Sequence, residues 1–207
     1  MGQGTTGSQS PLSAYKKSSS VGIFAGTFDP IHSGHLAVAR LSANQCLLDK
    51  VYFAVEAQPW GVKNPVEYKI RQVMVDLAIS KDENIDQIVL EDKHFEIDKT
   101  LPKIEKKFKN TKLFFIFGAD VFLNMNTYNW KNLNQLLRHG MIIFERGNIT
   151  QKDISEHANN LGINVAILTT DKLGSSSTKI RRSIEINSDE IPQEVDKFIK
   201  ENRLYQN

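Results

Sequence analysis

The residues best equipped for chemistry lie close together near the start of the chain. His32 and His35 flank Ser33 and Gly34 within Gly26-Thr-Phe-Asp-Pro-Ile-His-Ser-Gly-His35-Leu36. Imidazoles can donate hydrogen bonds to phosphate oxygens and can add positive charge when protonated. The apolar run Val21–Ala25 precedes this stretch and reads as a buried strand. The segment from Leu36 to Leu41 reads as the first turns of a helix. The pattern therefore places two histidines where a strand ends and a helix begins. Open α/β sheets bind ligands at that kind of position. Free backbone N–H groups and the helix dipole favour an anion there.

A second basic cluster lies far along the chain, in Ser175-Ser-Ser-Thr-Lys-Ile-Arg181. Serine and threonine hydroxyls cap helix N-termini, so a helix is expected to begin here. Thr178 and Arg181 are three residues apart and share a helix face. A guanidinium can grip two phosphate oxygens at once. The string lacks the paired glycines of a Walker A loop. Between the two clusters, Gly118 and Asp120 follow the apolar run 113–117, where a backbone and a carboxylate can meet a ribose. Trp130 is either a core residue or a surface for stacking a flat ring.

Elements able to position these groups alternate along the chain. Strands are expected at Val21–Ala25, Val51–Val55, Ile88–Leu90, Leu113–Phe117, Met141–Phe144 and Val165–Leu168. Ile70, Val73, Met74, Leu77 and Ala78 have helical spacing. Weaker helical stripes run through Leu101, Ile104 and Phe108, then Ile154, Ala158 and Leu161, then Val195, Phe198 and Ile199. Apolar strands alternating with helices imply an α/β, Rossmann-like, mainly parallel sheet with helices on both faces. A small C-terminal helical element is expected after Ser175.

Composition narrows the class. The 207 residues suffice for one well-buried domain, and a net charge of +2 gives no support for a nucleic-acid surface. No apolar run approaches the ~18 residues of a membrane span. The single cysteine, Cys46, excludes an internal disulfide and suits a reducing, cytoplasmic setting. Residues 1–20 read as a disordered tail or expression scar, leaving 21–207 as the folded domain. His94, His139 and His157 have no zinc-like spacing, and no protein metal site is expected.

The first cluster resembles the H-x-G-H signature of the nucleotidyltransferase superfamily in its long form, G-T-F-D-P-I-H-x-G-H-L. Ser176, Ser177, Thr178, Ile180 and Arg181 resemble its I-S-S-T-x-I-R motif, with Ser175 in place of isoleucine. Phe117-Gly-Ala-Asp120 with Asn129-Trp-Lys131, the turn Phe144-Glu-Arg-Gly147 and the ending Ile191–Tyr205 resemble nicotinate-nucleotide adenylyltransferases. The resemblance spans roughly residues 21–205. It implies ATP binding by Gly26, Thr27, Phe28, His32, Gly34, His35, Gly118, Asp120, Ser177, Thr178 and Arg181, with His32, His35 and Arg181 catalytic. It implies that Lys63, Arg71, Trp130 and Arg146 hold the acceptor, a nicotinate or nicotinamide mononucleotide. Mg²⁺ is expected on the ATP oxygens.

Two stretches depart from that family. Gln58-Pro-Trp-Gly-Val-Lys63 replaces P-P-H-K, and Phe95-Glu-Ile-Asp-Lys-Thr-Leu101 replaces S-Y-T-x-D-T-L. Pantetheine-phosphate adenylyltransferases, cytidylyltransferases and a non-catalytic nucleotide-binding paralogue therefore stay open as alternatives. So does a homo-oligomeric state.

Overall fold

The computed structural model describes residues 18–59, 64–90, 92–126, 130–169, 177–182 and 190–206. Six strands form one parallel sheet: β1 (Ser20–Gly26), β2 (Lys50–Val55), β3 (Ile85–Ile88), β4 (Lys112–Gly118), β5 (Gly140–Phe144) and β6 (Val165–Leu168). Their spatial order is β3-β2-β1-β4-β5-β6. The order reverses between β1 and β4, so their C-terminal ends flank the crevice where doubly wound sheets take ligands. Register is continuous across the centre, with Ile23 opposite both Tyr52 and Phe115.

Alternation along β4 shows how the strands feed two cores. Phe115 and Phe117 face one layer, whereas Ile116 between them faces the other. The Ile116 layer is covered by α1 (Ser33–Gln45), α2 (Tyr68–Ile79), α7 (Ser177–Arg182) and α8 (Gln193–Glu201). The opposite layer is covered by α3 (Ile97–Lys107), α4 (Ala119–Leu123), α5 (Leu133–Leu136) and α6 (Gln151–Leu161). Helices thus lie on both faces, as the alternating pattern requires.

The expected strands are present with small shifts, except at the third. The apolar run Ile88–Leu90 suggests a strand there, yet β3 pairs with β2 through Ile85–Ile88. Ile85 and Ile88 are buried in opposite layers, while Val89 is exposed beyond the sheet. β1 begins at Ser20, inside the stretch read as a tail. Its N–H is held by Asp49 at 2.7 Å, and the Ser19 carbonyl accepts from Lys112. Residues 1–17 of that tail lie outside the described residues.

Helix ends follow local chemistry. Thr150 caps α6 by accepting from Asp153 N–H, Asp153 reciprocates, and Gly162 ends the helix at φ 68°. Among the described residues, no helix is long and apolar enough to cross a membrane.

Candidate active site

A cleft of about 1180 Å³ opens above the C-terminal ends of β1, β4 and β5. Its floor is the end of β1, where Gly26 leads into the loop before α1. A Cβ on Gly26 would come within 2.9 Å of the Phe28 ring, so the loop can fold back tightly only over glycine. Phe28 itself holds φ 49° and is buried against Phe24, Phe53 and His35. The loop is thus anchored in the core on an aromatic side chain while Gly26, Thr27 and Asp29 line the cleft.

The two histidines have different positions. Their rings stack at 3.7 Å between centroids. His35 lines the cleft; His32 lies behind it, 5% exposed. The His35 Nδ1 accepts from His32 N–H at 3.3 Å, which fixes its proton on Nε2. Burial, and then the charge of Arg146, lowers His32 to a pKa of about 4. Burial, His32 and Arg146 hold His35 well below the usual histidine range. Both rings are therefore neutral near pH 7, where the sequence left room for cations, and His35 is the one that can present an N–H to the cleft. His32 Nδ1 is buried with no partner among the described residues. Gly34 is buried in the first turn of α1. The Ser33 N–H is bonded to the Glu190 carbonyl at 2.8 Å, so this first helical amide is already used by the chain.

The second motif closes on the first. Ser177, Thr178 and Arg181 of α7 line the same cleft. Arg181 Nη1 donates to the Asp29 carbonyl at 2.5 Å, and Nη2 donates to Thr178 Oγ1 at 3.3 Å. Ser177 Oγ donates to the Pro30 carbonyl at 3.1 Å. Residues some 150 positions apart in sequence thereby share one rim. Ser175 and Ser176 lie outside the described residues, and the side chain of Lys179 is not described.

On the opposite wall, Gly118 and Arg146 line the cleft at the ends of β4 and β5. A Cβ on Gly118 would lie 2.5 Å from Asp120 Oδ1, so any larger residue would push that carboxylate from its present place. Asp120 pairs with Arg146 at 3.2 Å. Further along, Trp130 sits near Phe95 and Phe117, with centroids 6.5 and 6.1 Å away, and makes an aromatic pocket. It is half-buried, with one part of its surface in the core and another lining the cleft.

One sequence expectation fails here. Arg71 is fully buried, and its guanidinium donates to the carbonyls of Val66, Thr27, Glu56 and Ala57 at 2.7–3.0 Å. Four of its five N–H groups are taken by backbone. Arg71 therefore braces the loops after β1 and β2 and presents nothing to an acceptor. Lys63 lies outside the described residues.

Several cleft residues carry no motif. His94, which the sequence did not single out for the site, lines the cleft beside Glu96 at 3.3 Å. Glu96 also pairs with Lys99 at 2.9 Å. Glu56 accepts from the Phe95 N–H at 2.9 Å, and burial raises its pKa. A carboxylate directly after the apolar run of β2 was a usable signal for Glu56. Phe95 and Phe117 gave none, because a cleft-lining phenylalanine reads as core. In the departing segment, the two positions shared with the family serve the fold. Thr100 is buried and accepts from Glu96 N–H at 3.0 Å, and Leu101 is core.

Residues 23–183 match the family model described as cytidylyltransferase-like. The chain is 33% identical over 199 residues to the probable nicotinate-nucleotide adenylyltransferase of Clostridium botulinum, covering 89% of this chain and 96% of that protein. The chain belongs to the nicotinate-nucleotide adenylyltransferases. A probable member from Neisseria meningitidis is 31% identical, with 90% of this chain and 98% of that one covered. Among solved structures, the Plasmodium falciparum nicotinic acid mononucleotide adenylyltransferase complexed with NaAD is similar in fold. Its TM-score is 0.73 at 19% identity, covering 90% of this chain and 97% of that one. Membership of this family makes the chain a nucleotidyltransferase with the Rossmann-like sheet described above.

Proposed function

We propose that the cleft transfers AMP from MgATP to nicotinate mononucleotide, releasing pyrophosphate. The observation that carries this reading is the meeting of the His32–His35 loop and the Thr178–Arg181 helix on one rim, joined through the Asp29 carbonyl. Gly26, Thr27 and Phe28 shape the floor for the nucleotide, and Gly118 and Asp120 lie beside its ribose. The acceptor ring lies in the pocket of Trp130, Phe95 and Phe117, with Arg146 toward its phosphate.

The acceptor phosphate is already an anion and attacks the α-phosphorus in line, so no strong base is needed. Catalysis then rests on positioning and on stabilising charge at the departing pyrophosphate. His35 Nε2–H donates there as a neutral imidazole, backed by the stacked His32 ring. Ser177 and Thr178 add hydroxyls, and Arg181 adds the permanent charge. Mg²⁺ travels on the ATP oxygens as part of the substrate. The described residues include no group of three or more carboxylate, histidine or cysteine ligands that would hold it separately. Usage of a single cysteine, Cys46, suits a reducing, cytoplasmic setting.

The test is pyrophosphate release from MgATP with nicotinate mononucleotide, nicotinamide mononucleotide and phosphopantetheine in parallel. Fastest turnover with nicotinate mononucleotide supports the proposal. Turnover with phosphopantetheine alone reassigns the acceptor. ATP binding without turnover on any acceptor replaces the enzyme with a nucleotide-binding module.

A further inference from the structure

The end of the chain returns to the first motif. Tyr205 is packed against the layer beneath α1 and α2, and its hydroxyl donates to Asp29 Oδ1 at 2.5 Å. Asp29 is 2% exposed and lies between the glycine turn and His32. Its other oxygen faces Val66 N–H at 3.4 Å and Arg181 Nη1 at 3.8 Å. Its backbone carbonyl is the acceptor for Arg181. One buried aspartate therefore meets the chain terminus, the entrance to α2 and the cation of the second motif.

The geometry of such a hub constrains function. A buried carboxylate needs partners on both oxygens. With Tyr205 on Oδ1, Oδ2 is left to face Val66 and Arg181. Burial and the bond to Asp29 keep the phenol protonated, so it remains a donor. Without that donor, Oδ1 has to find another one, and the nearby mobile donor is the Arg181 guanidinium, at the cost of its place on the rim. Arg71, whose charge also acts on Asp29, has four of its five N–H groups held by carbonyls, which leaves Arg181 the freer of the two guanidiniums.

We propose that Tyr205, acting through Asp29, is a positioning residue that sets the spacing between the His32–His35 loop and Arg181, and so the affinity for the ATP triphosphate. This rests on the ATP site proposed above. The terminus then acts as a fastener for the triphosphate half and leaves the acceptor pocket untouched.

Tyr205→Phe keeps the ring and removes the hydroxyl. It is expected to raise the KM for ATP about tenfold while kcat and the acceptor KM stay within about threefold. Asp29→Asn is expected to do the same, and the double variant to be no worse than the worse single one. Ile199→Val, in the α8 core and without a contact to the Asp29 carboxylate, supplies the comparison: lower thermal stability with an unchanged KM for ATP. An unchanged KM for ATP in a folded Tyr205→Phe protein overturns the proposal. So does an equal rise in Ile199→Val, or full additivity in the double variant. If the wild-type chain does not bind ATP, the site reading falls first and this inference falls with it.

Discussion

The two halves of the cleft are built differently. The half proposed to hold the triphosphate is made of backbone turns and side chains locked by short-range bonds: stacked histidines, a glycine turn over Phe28, and Arg181 held on the Asp29 carbonyl. The half proposed to hold the acceptor is an aromatic pocket rimmed by Glu96, which pairs with both His94 and Lys99. Phosphate geometry is the same for every ATP, so its cradle tolerates little change. A ring pocket needs flat apolar walls and one polar contact, which different residues can supply. That difference explains how the chain keeps both phosphate motifs while replacing most of the S-Y-T-x-D-T-L segment. Glu96, which would repel a nicotinate carboxylate if bare, is compensated by Lys99.

The comparison makes separable predictions. His35→Ala removes a donor aimed at the departing pyrophosphate and should lower kcat by ~10²-fold or more. Steady-state kinetics should show the acceptor KM nearly unchanged; an effect confined to that KM would erase the distinction between the halves. The buried histidines also make the triphosphate half sensitive to acid. His32 has a folded pKa of about 4 against an ordinary 6.5, so the unfolded chain binds its proton first. Stability is therefore full above about pH 6.5 and declines as pH falls toward 4, by about 3 kcal/mol for this group. Denaturant midpoints across that range should fall, and His32→Asn should flatten the slope.

Effects on the acceptor half should be smaller. Trp130→Ala should raise the acceptor KM about tenfold, the scale of one lost stacking surface, and leave the ATP KM alone. Loss of folding with an unchanged acceptor KM would make Trp130 a core residue only. Smallest of all, Glu96→Gln should free the charge of Lys99 and shift preference toward nicotinate over nicotinamide mononucleotide by about threefold. A shift the other way would mean that Glu96 itself contacts the ring substituent.

Legibility in the sequence follows the same division. The fold was readable because the continuous apolar runs of β4 and β5 and the 3.6 period of α2 leave little choice. Edge strand β3 was displaced because its two buried isoleucines are three apart and serve opposite layers. The phosphate motifs were readable because glycine turns and helix starts demand particular residue types at fixed spacing. Arg71 was misjudged because an arginine near a site in sequence looks like a ligand, while its burial under four carbonyls is a tertiary fact. Phe95, Phe117 and His94 were invisible as site residues, because nothing local distinguishes a cleft wall from a core wall. The neutrality of the histidines likewise depends on tertiary burial first and on the charge of Arg146 second, neither of which is visible in the local sequence.

The most direct test supplies ATP labelled at the α-phosphorus together with nicotinate mononucleotide and Mg²⁺, and follows the label. The account predicts that the label passes into a dinucleotide while the pyrophosphate is unlabelled, and that His35→Ala slows this transfer without redirecting it. Label that stays in ATP despite tight ATP binding, or that leaves as free AMP, would contradict it.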